Sequence, residues 1–376
     1  MTTEGSPDEA TALRDRRVID AGAQVQETVD DLLPYMDAET AAREFLDLSN
    51  NPRGDVYGGV GAHPLYEYKR AGPDGVPAAE GDLTEAIGFD AVERQCASQG
   101  IDAAVVNPTL NLDLAEVNND RFAVALASAY NDWLLDGLDG RDRLVGNVVV
   151  APQHPERAAA EIDRVGGEAA VAGVHLPVTG VTHPLGHRAY DPIYAAAEDH
   201  GLPIVVQPTV GASSLHQQFY ESAYFAQDYV MHQPFLALRH LTSLMFEGVP
   251  VRYPDLNVVL LDCGVGWAPY AIMRLDDHYL ELGYEIPALN KLPSEYATES
   301  VYWGTGPVHD AGTHPDSRYL ARAIKMVGPD NVLFTSDLPH PRTDTPAGVD
   351  TALGDHLDAD AATAVFSGTA ARVFGL

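Results

Sequence analysis

Short apolar runs, each followed by an amphipathic stretch, recur along the chain, and this alternation restricts the fold more than any other feature. The runs lie at 18–21, 103–106, 144–150, 170–176, 203–206, 258–261, 300–303 and 332–335. The helical patterns lie at 87–100, 115–138, 155–166, 191–200, 232–247, 266–282, 316–327 and 358–374. Several runs, such as Val258 to Leu261, are apolar at every position, as expected for a strand covered on both faces of a parallel sheet. Strand and helix alternating in this way predict an α/β fold, a (β/α)8 TIM barrel, as a single domain over residues 16–376. The Gly- and Pro-rich stretch 49–86 and the stretch 209–231 read as insertions after strands one and five. Such insertions cover the mouth of a barrel, where function resides. Residues 1–15 are polar and acidic and read as a disordered lead-in without a secretory core.

Charge narrows the class of partner. The 376 residues carry 55 acidic and 23 Lys or Arg side chains, a formal net charge of −32. Such a surface repels nucleic acid and anionic lipid, so neither is expected as a partner. Lysine occurs only at Lys69, Lys291 and Lys325. Abundant carboxylates with scarce lysine point to a halophilic protein, screened by a salt-rich cytoplasm. No apolar run reaches membrane-spanning length. Cys96 and Cys263 are too few for a disulfide framework and fit reduced thiols at a cytoplasmic location.

In a barrel of this kind, the residues just after the strands face the active-site mouth. Here those positions are Gln24 and Gln26, Asn107, Gln153, His175, Gln207, Asp262, Gly304 and Asp337. A strand end is often polar because a loop begins there, so the set carries more weight than any member.

Several segments have a specific look. Residues 332–340 read Val-Leu-Phe-Thr-Ser-Asp-Leu-Pro-His, an apolar strand that ends in Ser-Asp-x-Pro-His. Tyr253-Pro254-Asp255-Leu256-Asn257 runs on to Gly264, Gly266-Trp267 and Arg274-Leu275-Asp276. Pro184-Leu185-Gly186-His187 precedes Tyr190-Asp191-Pro192 and Gly201-Leu202-Pro203-Ile204. Leu292-Pro293-Ser294-Glu295-Tyr296 and the closing Ala371-Arg372-Val373-Phe374-Gly375-Leu376 complete the set. In this order they resemble the amidohydrolase-related family of metal-dependent hydrolases and decarboxylases, the amidohydrolase 2 type.

The resemblance implies a divalent cation at the barrel mouth. A His-x-His or Glu-x-His pair on strand one, a His on strand five and an Asp on strand eight would hold it, with a His on strand six assisting. This chain departs from that pattern. After Ile19-Asp20 comes Ala21-Gly22-Ala23-Gln24-Val25-Gln26; strand five ends in Gln207 and strand six in Asp262, and only Asp337 matches. Gln is a neutral carbonyl donor and a poor substitute for imidazole on zinc. A metal-free site is therefore favoured. The alternative is a divalent cation, zinc or manganese, held by Asp337, Gln24, Gln207 and Asp262.

Each candidate has a functional and a structural reading. Asp337, Asp262 and His175 are the candidate catalytic residues, and Gln24, Gln207 and His340 the candidate substrate-binding residues. Two neighbouring carboxylates separate their pKa values and can serve as acid and base. Asp262 equally suits a structural carboxylate bonded to the amides of Gly264 or Gly266. His175 is a pocket residue or a satisfied core histidine, and His340 a substrate ligand or a loop histidine. Gln24 and Gln207 recognise a ligand or pair with each other across the barrel. His154 suits a helix cap, His183 and His187 shape a loop, and His309 and His314 have no partner to name.

Two functions remain open. One is an enzyme of the amidohydrolase superfamily, a hydrolase or C–C lyase (decarboxylase). It would act on a carboxylated small molecule with acid–base chemistry centred on Asp337. Without a metal, decarboxylation or hydration suits the site better than amide hydrolysis, because nothing obvious activates water or stabilises an oxyanion. The other is a non-catalytic ligand-binding barrel that has lost the metal centre. Self-association into a homo-oligomer is compatible with either.

Overall fold

The computed structural model describes residues 16–37, 87–117, 119–208, 225–308, 318–339 and 343–376. The lead-in 1–15, the insertion 49–86, residues 209–224 of the second insertion, and His309, His314 and His340 lie outside the described residues. The strands are β1 (Ile19–Gln24), β2 (Ala103–Asn107), β3 (Leu144–Val149), β4 (Val171–His175), β5 (Ile204–Val206), β6 (Val258–Leu260), β7 (Val301–Gly304) and β8 (Val332–Leu333). They form one 8-stranded parallel sheet in sequence order. Ala21 N donates to Phe334 O at 3.0 Å, which brings the end of β8 back to β1. The predicted (β/α)8 TIM barrel is the observed fold.

The main helices between strands are α1 (Phe89–Gln99), α2 (Asp120–Leu138), α3 (Pro155–Val165), α4 (Asp191–Asp199), α5 (Phe225–Phe246), α6 (Ala268–Leu282) and α7 (Arg318–Val327). The expected start of a helix at 115 is instead a 3-10 stretch, Leu110–Glu116, and α2 begins later, where the Asn119 side chain accepts from Phe122 N at 3.3 Å. The pattern read over 358–374 is broken by a π turn, Ala364–Gly368, before the closing helix α8 (Thr369–Phe374). No helix among the described residues is long and apolar enough to cross a membrane.

Apolar side chains sort into an outer and an inner cluster. The outer one lies between strands and helices and includes Val106, Val174, Val206 and Trp303. The inner one fills the barrel with Ile19, Ala21, Val105, Val205, Val259, Leu261, Tyr302 and Leu333, and α8 adds Val373 and Phe374. Strand residues alternate between the two because successive side chains leave opposite faces.

That alternation is interrupted in β1. The pairing Ile19↔Ala103 and Asp20↔Ala104 resumes only at Ala23↔Val106 and Gln24↔Asn107. Ile19 and Ala21 face the inner cluster, whereas Ala23 joins the outer one. The bulge therefore reverses the parity of β1 and turns Gln24 inward, the usual effect of an extra residue in a ladder. A second register shift, between Gly146 and Asn147 of β3, accompanies Asn147↔Gly173. Asn147 Nδ2 donates to Asn107 Oδ1 at 2.7 Å, and Asn107 Nδ2 donates in turn to the carbonyls of Ala21 and Ala23.

Candidate active site

Gln24 sits between the strand-end aspartates. Its Nε2 donates to Asp337 Oδ1 at 3.0 Å and approaches Asp262 Oδ2 at 3.5 Å. Gln207, just past β5, donates its own Nε2 to the same Asp262 oxygen. The structure thus brings together Gln24, Gln207, Asp262 and Asp337. The glutamines do not pair with each other; both hold Asp262. Thr109, beyond β2, lies against the other end of Gln24. Its Oγ1 is 2.8 Å from Val25 O and 3.3 Å from Gln24 Oε1. The one hydroxyl hydrogen goes to the nearer Val25 O, so Oε1 only faces the hydroxyl while Nε2 meets the carboxylates.

Both aspartates hold a backbone conformation that side chains oppose. Asp262 has φ 53° and Asp337 φ 57°, and they are the only described non-glycine residues with positive φ. A left-handed residue with a Cβ costs on the order of 1–2 kcal/mol, and such residues concentrate at functional sites. Asp262 is not tied to Gly264, whose N–H donates to Gly306 O at 3.0 Å. The side-chain amides of Gln24 and Gln207 both point at its Oδ2.

Buried carboxylates support this arrangement from behind. Asp20, within β1, accepts from Gly22 N and Ser336 N, each at 2.9 Å, and from Ser336 Oγ. Burial outweighs these bonds and raises its pKa to about 6. Glu27 accepts from Thr109 N at 3.0 Å, Asn111 N at 2.9 Å and Asn111 Nδ2 at 3.0 Å, and burial raises its pKa too. Glu27 thereby anchors the turn that places Thr109 beside Gln24.

His175 ends β4 as the sequence places it, but it is wholly buried. Burial pushes its pKa down to about 3, so the ring is neutral near pH 7. Neither ring nitrogen has a hydrogen-bond partner among the described residues, so no hydrogen bond joins it to the four clustered side chains. His183 and His187 stack at 4.0 Å on the loop after β4. His154 precedes α3, but its side chain makes no capping bond and lies 3.6 Å from Glu156 instead.

Residues 73–376 match the family profile described as Amidohydrolase. The chain belongs to that family. Solved structures share its fold at low identity. The manganese-bound 5-carboxyvanillate decarboxylase of Novosphingobium aromaticivorans superposes with a TM-score of 0.71 at 19% identity, covering 96% of this chain and 97% of that one. Dihydroxybenzoic acid decarboxylase of Polaromonas, with manganese and 2-nitroresorcinol, gives 0.69 at 17%, over 96% and 97%. The 2,6-dihydroxybenzoate decarboxylase of Rhizobium gives 0.65 at 18%, over 96% and 99%. No curated protein sequence matches the chain. The family and these neighbours are enzymes, and the amidohydrolase fold here carries an enzyme's architecture.

The neighbours' manganese prompts a test of this chain's donors. Among the described residues, no group of three or more His, Cys, Asp or Glu side chains converges to hold a metal. The inner faces of Asp262 and Asp337 are met by amide N–H donors, which a cation would have to displace. Gly22, two residues before Gln24, has no room for a ligating side chain: a Cβ there would lie 2.7 Å from Thr335 Cβ. Gln207 Oε1 is a buried carbonyl without a partner, yet one neutral oxygen does not replace imidazole. The arrangement of these side chains does not fit a manganese or zinc centre.

The sequence reading missed Asp20, Glu27 and Thr109. Asp20 carried a signal, a carboxylate inside the apolar run Val18-Ile19-Asp20-Ala21, since buried acids are rare unless bonded.

Proposed function

We propose that this amidohydrolase is a C–C lyase that decarboxylates a carboxylated small molecule without a metal, with Asp337 as general acid and Asp262 as its partner carboxylate. The observation that carries this reading is the bridge: one Gln24 amide spans two strand-end aspartates, both in left-handed backbone. In this reading the two carboxylates share one proton before the acid step, since neighbouring carboxylates repel each other when both are ionised. Gln24 and Gln207 supply N–H donors that stabilise the ionised member.

The chemistry needs little else. The protonated carboxyl of Asp337 delivers its proton to the carbon that bears the substrate carboxylate. The bond to that carboxylate then breaks, its electron pair returns to the substrate skeleton, and CO2 leaves. A proton from solvent restores Asp337. No oxidant or reductant enters the balance. Hydrolysis is less well served, because no described side chain besides these carboxylates is placed to activate water. The similarity to decarboxylases of hydroxylated benzoates agrees with a carboxylated substrate.

The test is CO2 release from a panel of hydroxybenzoates and 5-carboxyvanillate, alongside elemental analysis of the natively purified protein. Turnover should survive chelation, and Asp337→Asn should lower kcat on the order of 100-fold or more, the scale of a lost general acid. Stoichiometric zinc or manganese, with activity lost on chelation, would overturn the metal-free reading. Ligand binding without turnover, unaffected by Asp337→Asn, would instead identify a binding barrel.

A further inference from the structure

The hydrogen bonds of Asp20 reach neither the Gln24 nor the Asp337 side chain directly, yet they surround both. It is the last paired residue before the β1 bulge, where its Oδ1 accepts the Gly22 N–H at 2.9 Å. The same oxygen accepts the Ser336 N–H at 2.9 Å, and its Oδ2 accepts the Ser336 hydroxyl. The Ser336 oxygen then accepts the Leu338 N–H at 3.0 Å. The amides on either side of Asp337 are therefore held by one carboxylate, directly at Ser336 and through a hydroxyl at Leu338. Leu338 O completes the stitch by accepting the Gln24 N–H at 2.6 Å.

We propose that Asp20 is the positioning residue that builds the Gln24–Asp337 contact, by fixing the bulge that turns Gln24 inward and the left-handed turn that presents Asp337. The proposal rests on the reading of Asp337 as the acid, and concerns how its geometry is set. A buried carboxylate is costly to maintain, and an apolar residue at position 20 would suit the strand better on burial grounds alone. What the carboxylate adds is three accepted hydrogen bonds at a point where β1 leaves its ladder and β8 leaves the strand conformation. Such supporting bonds are what hold a functional side chain within a fraction of an ångström of its working position.

The experiment needs no substrate, so it can fail independently of the proposed reaction. In isotope-labelled full-length protein, NMR reads the exchange rate of the Leu338 amide and the titration midpoint of the Asp337 carboxyl carbon. Asp20→Asn keeps the shape but presents an N–H donor where the carboxylate accepted the Ser336 hydroxyl. The Leu338 amide should then exchange on the order of tenfold faster, and the Asp337 midpoint should move, with cooperative melting retained. Ser336→Ala, a smaller change, should reproduce both effects and serves where Asp20→Asn fails to fold. A folded variant of either kind with an unchanged Leu338 rate and an unchanged Asp337 midpoint overturns the proposal. Loss of Leu338 protection with a fixed Asp337 midpoint also overturns it, because Asp20 would then stabilise the turn without setting the acid.

Discussion

Asp262 and Asp337 keep backbone angles that a β-carbon opposes, and those angles place both carboxylates within reach of one Gln24 amide. Gln24→Leu tests this at constant shape. It removes the donor and leaves the aspartates facing each other, so the Asp337 midpoint should rise and stability should fall by about 1–3 kcal/mol, the scale of an unsatisfied buried polar group. Denaturant melts with carboxyl NMR would check both. Two further residues give the molecule opposing pH dependences. Asp20 has a folded pKa of about 6 against 3.8, so between those values the native state binds more protons and stability falls as pH rises. His175 has a folded pKa of about 3 against 6.5, so across that window the unfolded state binds more protons and stability rises with pH. His175→Leu should therefore remove acid lability between about pH 3 and 6.5, by a few kcal/mol at the acid end. Melting temperatures across that range, for wild type and variant, would show it; parallel curves would refute the assignment.

At the scale of the element, the β1 bulge does most to make the site. Without it, Gln24 would share the parity of Asp20 and face away from the barrel interior. Gly22 is part of that bulge and lies against Thr335. Gly22→Ala should cost about 1–3 kcal/mol by overpacking, and should displace Thr335, whose hydroxyl accepts the Gly306 N–H at 2.8 Å. A crystal structure of the variant with an unmoved Thr335 would contradict this. The bulge also marks where the sequence stops being legible. Apolar runs announce strands because burial on both faces leaves a composition signature. A single inserted residue leaves none, so the inward turn of Gln24 could be guessed only from its polarity. Asp262 and Asp337 were legible because each ends an apolar run. Their left-handed backbone was not, since only contacts from distant segments sustain it. Asp20 lay in plain view inside a strand, but its partners are 2 and 316 residues away, and only the short-range one is accessible to pattern reading.

For the whole molecule, the alternation of strand and helix was enough to specify the barrel, because right-handed crossovers leave few ways to bury eight parallel strands. Boundaries were less legible. The helix expected over 358–374 hides a π turn that periodicity does not reveal. The net charge of −32 leads to a separate expectation. Mutual repulsion among exposed carboxylates should weaken as the Debye length falls from about 10 Å at 0.1 M to about 3 Å at 1 M salt. The melting temperature should therefore climb from low to molar KCl, and a flat or falling profile would refute adaptation to high salt.

The return of β8 to β1 has a kinetic side. Ser336 and Asp20 are 316 residues apart, at opposite ends of the strand order. Closing so long a loop is among the slowest kinds of contact for a chain to make, since its ordering cost comes before any reward. The first strand therefore emerges from the ribosome with one edge waiting for a partner translated near the end, and the Gln24–Asp337 contact of the candidate site forms only once those two edges have met.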